Sequence, residues 1–306
     1  MMNTIEKNLL EQVADLHEIP IGAYNIRRDG ESAGRNSTAN IEITSKTDKP
    51  GIDIRIKPGT KNESVHIPVI ITQSGYGETV YNDFYVGKDS DVLIVAGCGI
   101  HNSGCDTSQH DGIHAFYLEE GARVRYVEKH YGEGEGTGER IMNPTTLIYM
   151  QKNSYIELET VQIRGVDSTM RQTFVEADEG CEVVITERLM THGKQIADSE
   201  MEVDLNGADS RARITSRSVA QDESVQVFRP RVVGNAKCFG HVQCDTIIMD
   251  SAKVSSIPEI AANNVEAQLV HEAAIGRIAG DQLLKLMTLG LTREEAEERI
   301  ISGFLK

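Results

Sequence analysis

Cys244, His271 and Glu272 supply a thiol, an imidazole and a carboxylate, the side chains that hold iron, copper or zinc. All three fall within residues 240–277, GHVQCDTIIMDSAKVSSIPEIAANNVEAQLVHEAAIGR. This stretch reads as a strand that passes into a helix, with Cys244 in its first half and the His271–Glu272 pair in its second. Neighbours on a helix diverge by about 100°, so one of the pair would ligate while the other packs or caps. Cys244 ends its strand beside Asp245, just ahead of the β-to-α change, and such junctions favour sites.

A second group of candidate ligands occupies residues 98–114, CGIHNSGCDTSQHDGIH: Cys98, His101, Cys105, His110 and His114. Cys-x2-His-x3-Cys approximates metal-ligand spacing, but no second Cys-x2-Cys half completes a zinc signature. The segment reads as a polar loop that either binds a metal or turns its histidines to local backbone. Cys181 and Cys238 read as small buried hydrophobes. The run YGEGEGTGE at 131–139 reads as a flexible acidic loop. There is no Gly-Lys-Ser/Thr phosphate cradle and no Gly-x-Ser-x-Gly elbow, so the chain is expected neither to hydrolyse nucleotides nor to act as a serine hydrolase.

The elements that position these residues are mainly β. From about residue 52 to 256, short alternating stretches (IDIRI, SVHIPVIIT, DVLIVAG, TTLIYM) are bounded by Gly, Asn, Asp and Lys turns. Ser90, Ala122, Ser154, Cys181, Ser210, Ala236 and Ala252 each follow a turn residue, at intervals of 16 to 32 residues. Apolar residues then recur at every second position, as in Cys181-Glu-Val183-Val-Ile185. Small residues after each turn with apolar residues behind them suit a coiled β-solenoid; regular turn spacing also suits an antiparallel sandwich. In a solenoid, Glu128, Thr160, Glu187 and Ser216 would share the inward register and line a hydrophilic passage toward Cys244.

Helical patterns flank this region. Residues 3–16 show a capping box (Asn3, Glu6) and a stripe of Ile5, Leu9, Val13 and Leu16. Residues 27–50 read as loop or a poorly formed strand. After Pro258 the period becomes 3.6, predicting helices at Val265–Ile278, near Asp281–Leu289, and after the capping box Thr292–Glu295. The chain thus divides into a lead-in (1–50), a β core (51–257) and a three-helix docking module (258–306).

Composition narrows the function. Thirty-one Lys and Arg against 47 Asp and Glu leave a net charge of −16, which repels nucleic acid and anionic lipid. No apolar run approaches the ~20 residues of a membrane helix, and the charged first twenty residues do not read as a secretory leader. A cytoplasmic site follows, where five cysteines are thiols or ligands rather than a disulfide framework.

The order of GHVQCDTIIM (240–249), the Pro258 segment, AQLVHEA (267–273), Ile278, Gln282-Leu283, GLTREEA (290–296) and ISGF (301–304) resembles the C-terminal signature of the SufB/SufD family, core subunits of the SUF iron–sulfur cluster assembly machinery. The likeness continues more loosely back to about residue 60. It implies a right-handed parallel β-helix whose helical tail docks a SufC-like ABC-type ATPase. It also implies a pair of β-helices joined through their C-terminal strands, as a homodimer or with a SufD-like paralogue, and opened by the ATPases.

By this resemblance Cys244 matches the cysteine that SufB-type scaffolds use at the subunit interface. Glu272 matches its proposed carboxylate co-ligand, and His271 that residue's neighbour. With few thiolates, a cluster held there is labile and transferable. The expected role is therefore a scaffold for a transient iron–sulfur cluster, not an enzyme. The chain is shorter than typical SufB proteins and lacks their long N-terminal region and Cys-x2-Cys-x3-Cys motif; retention of Cys244 favours a SufB-like role. The alternatives are a SufD-like accessory subunit that holds no cluster, and a β-helix carbohydrate-active enzyme.

Overall fold

The computed structural model describes residues 2–18 and 20–306. It is a parallel β-solenoid of about eight turns. One sheet runs in coil order through Lys61–Ile71, Asp91–His101, Arg123–Glu133, Tyr155–Arg164, Glu182–Thr191, Ser210–Ala220, Cys238–Ile248 and Gln268–Gly276. The second faces it, running from Gly51–Ile56 through Gly77–Val86, Ser108–Leu118, the broken strand Arg140–Met142 and Thr145–Met150, Ser168–Ala177 and Ile196–Leu205 to Val225–Gly234. Strands Ala23–Arg28, Glu31–Asn36 and Ile41–Ser45, where the sequence suggests loop or weak strand, begin the coil through two antiparallel pairings.

The small residues do stack at the turns. Ser90, Ala122, Ser154, Cys181 and Ser210 are fully buried in consecutive coils. Each is preceded by a left-handed residue: Asp89, Gly121, Asn153, Gly180 and Asp209, with φ between 56° and 70°. Asp, Asn and Gly are the residues that adopt this conformation at least cost. The column then passes to Cys238, the register partner of Ser210, and not to Ala236; Ala252 belongs to the second sheet, where Lys253 pairs with Val225. Between the columns, one continuous apolar core holds Ile94, Tyr126, Leu158, Ile185, Ile214 and Val242.

The C-terminal region departs from expectation. The predicted helix Val265–Ile278 is instead the strand Gln268–Gly276, paired in parallel with Cys238–Ile248. Strand Glu259–Ala262 also follows Pro258. Two helices remain, α2 at Gly280–Thr288 and α3 at Arg293–Phe304. The Ala267, Val270, Ala274, Ile278 stripe that suggested a helix loses to backbone pairing with the preceding coil. α3 has the expected Thr292–Glu295 capping box. It packs through Ile301, Phe304 and Leu305 on Val219, Met190 and Ile247. α2 buries no side chain.

Helix α1 at Thr4–Ala14 also has its capping box. Leu9 and Val13 pack onto the outside of the first sheet, whereas Ile5 stays exposed. Gly97 and Gly99 permit the approach: a Cβ on Gly97 would lie 2.5 Å from the Lys129 carbonyl and 2.8 Å from that of Val13, and one on Gly99 would lie 3.1 Å from Leu9 Cβ. Gly97→Ala should therefore cost about 1–3 kcal/mol by overpacking. Faster hydrogen exchange at the α1 amides would register this; unchanged protection would show that the contact is slack.

Candidate functional site at the closing coils

Alternation along Cys238–Ile248 turns Gly240, Val242 and Cys244 inward and His241, Gln243 and Asp245 outward. The next strand repeats the alternation: Val242 pairs with His271, Gln243 with Glu272 and Cys244 with Ala273. His271 thus shares the inner face, and its Nε2 lies 3.6 Å from Cys244 Sγ within one chain. Glu272, on a strand rather than a helix, points to the opposite face. Its carboxylate is exposed and lies 3.6 Å from His241 Nε2. Cys244 and His271 are therefore one pair, and Glu272 stands outside it.

Cys244 is only 3% exposed. Burial pushes its thiol up to about 12, while the Ser256 hydroxyl, which has no other partner, pulls modestly the other way. Burial and the nearby His241 lower His271, keeping its imidazole neutral. The closed site is thus a protonated thiol beside a neutral ring: poor as a nucleophile, and a metal ligand only once the proton leaves.

The polar row expected behind Cys244 exists in register. Glu128, Thr160, Glu187, Ser216 and Cys244 occupy one ladder, and all are buried. Arg171 reaches across from the second sheet, donating to Glu128 Oε2 at 2.6 Å and lying 3.8 Å from Glu187 Oε1. Glu187 also accepts from Ser199 at 2.7 Å and Ser216 at 2.8 Å. The row lines a chain of small chambers rather than an open passage. One contains Cys98 and His130, a second Thr160 and Arg171, and a third Ser216, Ser256 and Cys244. Each has room for about one water. Unpaired Thr160 Oγ1, Gln162 Oε1 and Gln226 Oε1 supply polar walls.

The Cys/His-rich segment is not a loop. It is two strands, Asp91–His101 and Ser108–Leu118, joined by a short turn. Cys98, His110 and His114 face the interior, Cys105 is exposed in the turn, and His101 lies 3.1 Å from Glu133 on the outside. The strand pleat separates what the spacing suggested was one ligand set. Among the described residues, no three His, Cys, Asp or Glu side chains group as a metal-binding set. The run after Tyr131 is not a free loop either: Gly136 and Gly138 donate their amides to the carbonyls of Asn102 and Gly104 at 3.1 Å. Cβ atoms on Gly134, Gly136 and Gly138 would come within about 2.2 Å of the 102–106 backbone.

His114 sits in a chain of donors. The Asn82 amide lies 3.3 Å from Nε2, Nδ1 lies 2.6 Å from the Tyr126 hydroxyl, and Tyr126 donates to Glu128 at 3.1 Å. Burial above all holds His114 down to about 4, against 6.5 when unfolded. His66 and His130 shift the same way, again chiefly through burial. The unfolded chain therefore takes up protons that the native state refuses. Stability should fall as pH drops from about 6.5 toward 4, by roughly 3 kcal/mol for His114 alone. Urea midpoints across that range test this, and His114→Gln should flatten the slope. A wild-type midpoint independent of pH would contradict it.

The closing coils of the β-solenoid thus bring a buried thiol and a half-buried imidazole together, with a row of polar groups behind them. The family described as "SUF system FeS cluster assembly, SufBD core domain" matches residues 71–304. The chain belongs to this SufBD family.

Its relatives agree. An iron-sulfur cluster assembly SufBD family protein of Pyrococcus horikoshii is 30% identical over 285 residues, covering 89% of this chain and 83% of that protein. One from Methanothermobacter thermautotrophicus is 29% identical over 265 residues, 83% of this chain and 62% of the relative. One from Archaeoglobus fulgidus is 29% identical over 269 residues, 85% and 69%. The chain thus spans less than two thirds of the Methanothermobacter protein. Membership leaves the carbohydrate-active reading without support. No helix among the described residues is long and apolar enough to cross a membrane.

Proposed function

We propose that this chain is a cytoplasmic scaffold on which an iron–sulfur cluster is built and from which it is handed on, with no turnover of its own. The observation that carries the reading is the pair of buried Cys244 and half-buried His271, 3.6 Å apart in the last two coils of a SufBD fold. One thiolate and one imidazole leave most of a cluster's coordination to sulfide and to other donors. Such a cluster is labile, which suits transfer.

The closing coil supports pairing with a second β-solenoid, a copy of this chain or a SufD-like paralogue. Among the described residues, strand Gln268–Gly276 is paired on one side only, and open strand edges template further pairing. Val270 and Ile275 on this strand, and Ile257 and Ile260 opposite, are exposed. In such a pair Glu272, outward in one subunit, becomes available to the cargo held by the other. α2 offers the docking face for a SufC-like ABC-type ATPase: Leu284, Met287 and Leu289 are 63%, 42% and 76% exposed. α2 follows the His271 strand by a few residues, so force on it reaches the site directly. Opening the coil hydrates Cys244 and removes the burial that keeps its thiol protonated.

The test is cluster transfer. Reconstituted chain, incubated with an ABC-type ATPase of this class, ATP and an apo-ferredoxin, should convert the acceptor to its holo form faster than without ATP. If the acceptor gains no cluster while free iron and sulfide still load it, the scaffold reading fails.

A further inference from the structure

The outer face of the first sheet carries charge that the site does not use. On strand Ser210–Ala220, Arg211, Arg213 and Arg217 alternate outward. Arg211 and Arg213 are exposed and Arg217 is half-buried. Among the described residues none of the three joins an ion pair or donates a side-chain hydrogen bond. The outward arginines of the second sheet differ: Arg229 pairs with Asp198, and Arg231 with Glu202 and Glu259. The neighbours of Arg213 in register are Val184 and His241, neither a carboxylate; Arg211 faces Glu182 and Arg217 faces Asp245, without forming an ion pair to either. In a chain of net charge −16, three guanidinium groups against the two carboxylates that face them in register, Glu182 and Asp245, leave a small local excess of positive charge.

The stripe is also placed beside the site. Ser216, on the inner face between Thr215 and Arg217, is the register partner of Cys244. A molecule bound to the stripe lies one strand spacing, about 4.8 Å along the sheet, from the strand that carries the thiol. Arginines two apart on a strand sit roughly 6.7 Å from each other, and each guanidinium can donate two parallel hydrogen bonds to one carboxylate.

We propose that this stripe docks an acidic protein partner, which presents a carboxylate-rich segment to Arg211, Arg213 and Arg217. Taken with the scaffold reading, on which this identification rests, that partner is a protein that exchanges cluster components with the chain. Charge complementarity favours a short acidic segment over a long polyanion. Outward Glu182 and Asp245 flank the stripe on the neighbouring strands, with Glu157 and Glu272 one strand further out, and these carboxylates would repel the continuing phosphates of a nucleic acid. Attraction confined to a patch within a repelling surface also orients the encounter.

The experiment uses cluster-free full-length chain, so its outcome does not depend on whether the chain holds a cluster. The probe is a fluorescein-labelled deca-glutamate peptide, followed by anisotropy at about 20 mM and about 200 mM salt. The wild type should bind it, more weakly at the higher salt. Replacing the three arginines together, as Arg211→Glu/Arg213→Glu/Arg217→Glu and separately as the all-Gln set, should weaken binding about tenfold or more. Lys88→Glu/Lys152→Glu/Lys237→Glu makes the same change in net charge at exposed turns and should leave affinity within about threefold. The proposal is overturned if the wild type does not bind, if both Glu triples lose affinity equally, or if a ten-nucleotide single strand binds as tightly as the peptide.

Discussion

Replacing Arg171 by Met should lower the unfolding free energy by about 3–5 kcal/mol, the cost of stranding buried charge. Arg171 is 5% exposed, and it stands between Glu128 and Glu187 at 2% and 4%. Burial alone would raise the Glu128 carboxyl, but the positive groups around it, Arg171 among them, hold it well below the usual carboxylate range. Without the guanidinium, two carboxylates two coils apart remain buried, with hydroxyls and, at Glu128, the His130 ring 3.7 Å away to stabilise them. One must then take up a proton or admit water. Adding Glu128→Gln to Arg171→Met should restore part of the loss, because the orphaned charge is gone. The urea midpoint is the measurement. A single variant within about 1 kcal/mol of wild type would mean that the row is already hydrated and that the ion pair contributes little.

That row was legible from alternation alone. Glu128, Thr160, Glu187 and Ser216 share one parity in strands whose small post-turn residues mark the coil, so a solenoid places them together. Parity could not detect the slip from Ala236 to Cys238, since the two residues lie two apart and face the same way. Only the hydrogen-bonded register with Ser210 separates them. The Cys98–His114 segment misled for a related reason. Cys-x2-His spacing suits a loop, but on a strand Cys98 and His101 fall on opposite faces.

The last strand was hidden more deeply. QLVHEAAIG carries a helical stripe of moderate quality, and its strand alternation is blurred by the adjacent Ala273 and Ala274. Edge strands bury little, so the apolar/polar contrast that marks the earlier coils is missing: most of Gln268–Gly276 is exposed. What makes it a strand is the preceding coil, which offers a row of backbone partners from Phe239 to Ile247. The functional consequence is large. A helix spreads His271 and Glu272 by about 100°, whereas a strand sends them to opposite faces and joins His271 to Cys244.

From that geometry comes the second large effect. His271→Ala should reduce cluster loading roughly tenfold or more, since it removes one of two donors within the chain. Glu272→Gln should matter little to the isolated chain, where its carboxylate meets His241 on the outside. Its effect should appear only in the paired state, where another subunit's cargo comes within reach. Equal losses for both variants in the unpaired chain would contradict the division of faces.

Anaerobic reconstitution of the wild type and Cys244→Ala with ferrous iron and sulfide tests the central claim most directly. The wild type should acquire iron, acid-labile sulfide and visible charge-transfer absorption, and Cys244→Ala should lose all three by tenfold or more. If both proteins bind the same iron and sulfide with the same spectrum, Cys244 is not the ligand and the closing coils are not the assembly site. If neither binds any, the chain is an accessory subunit.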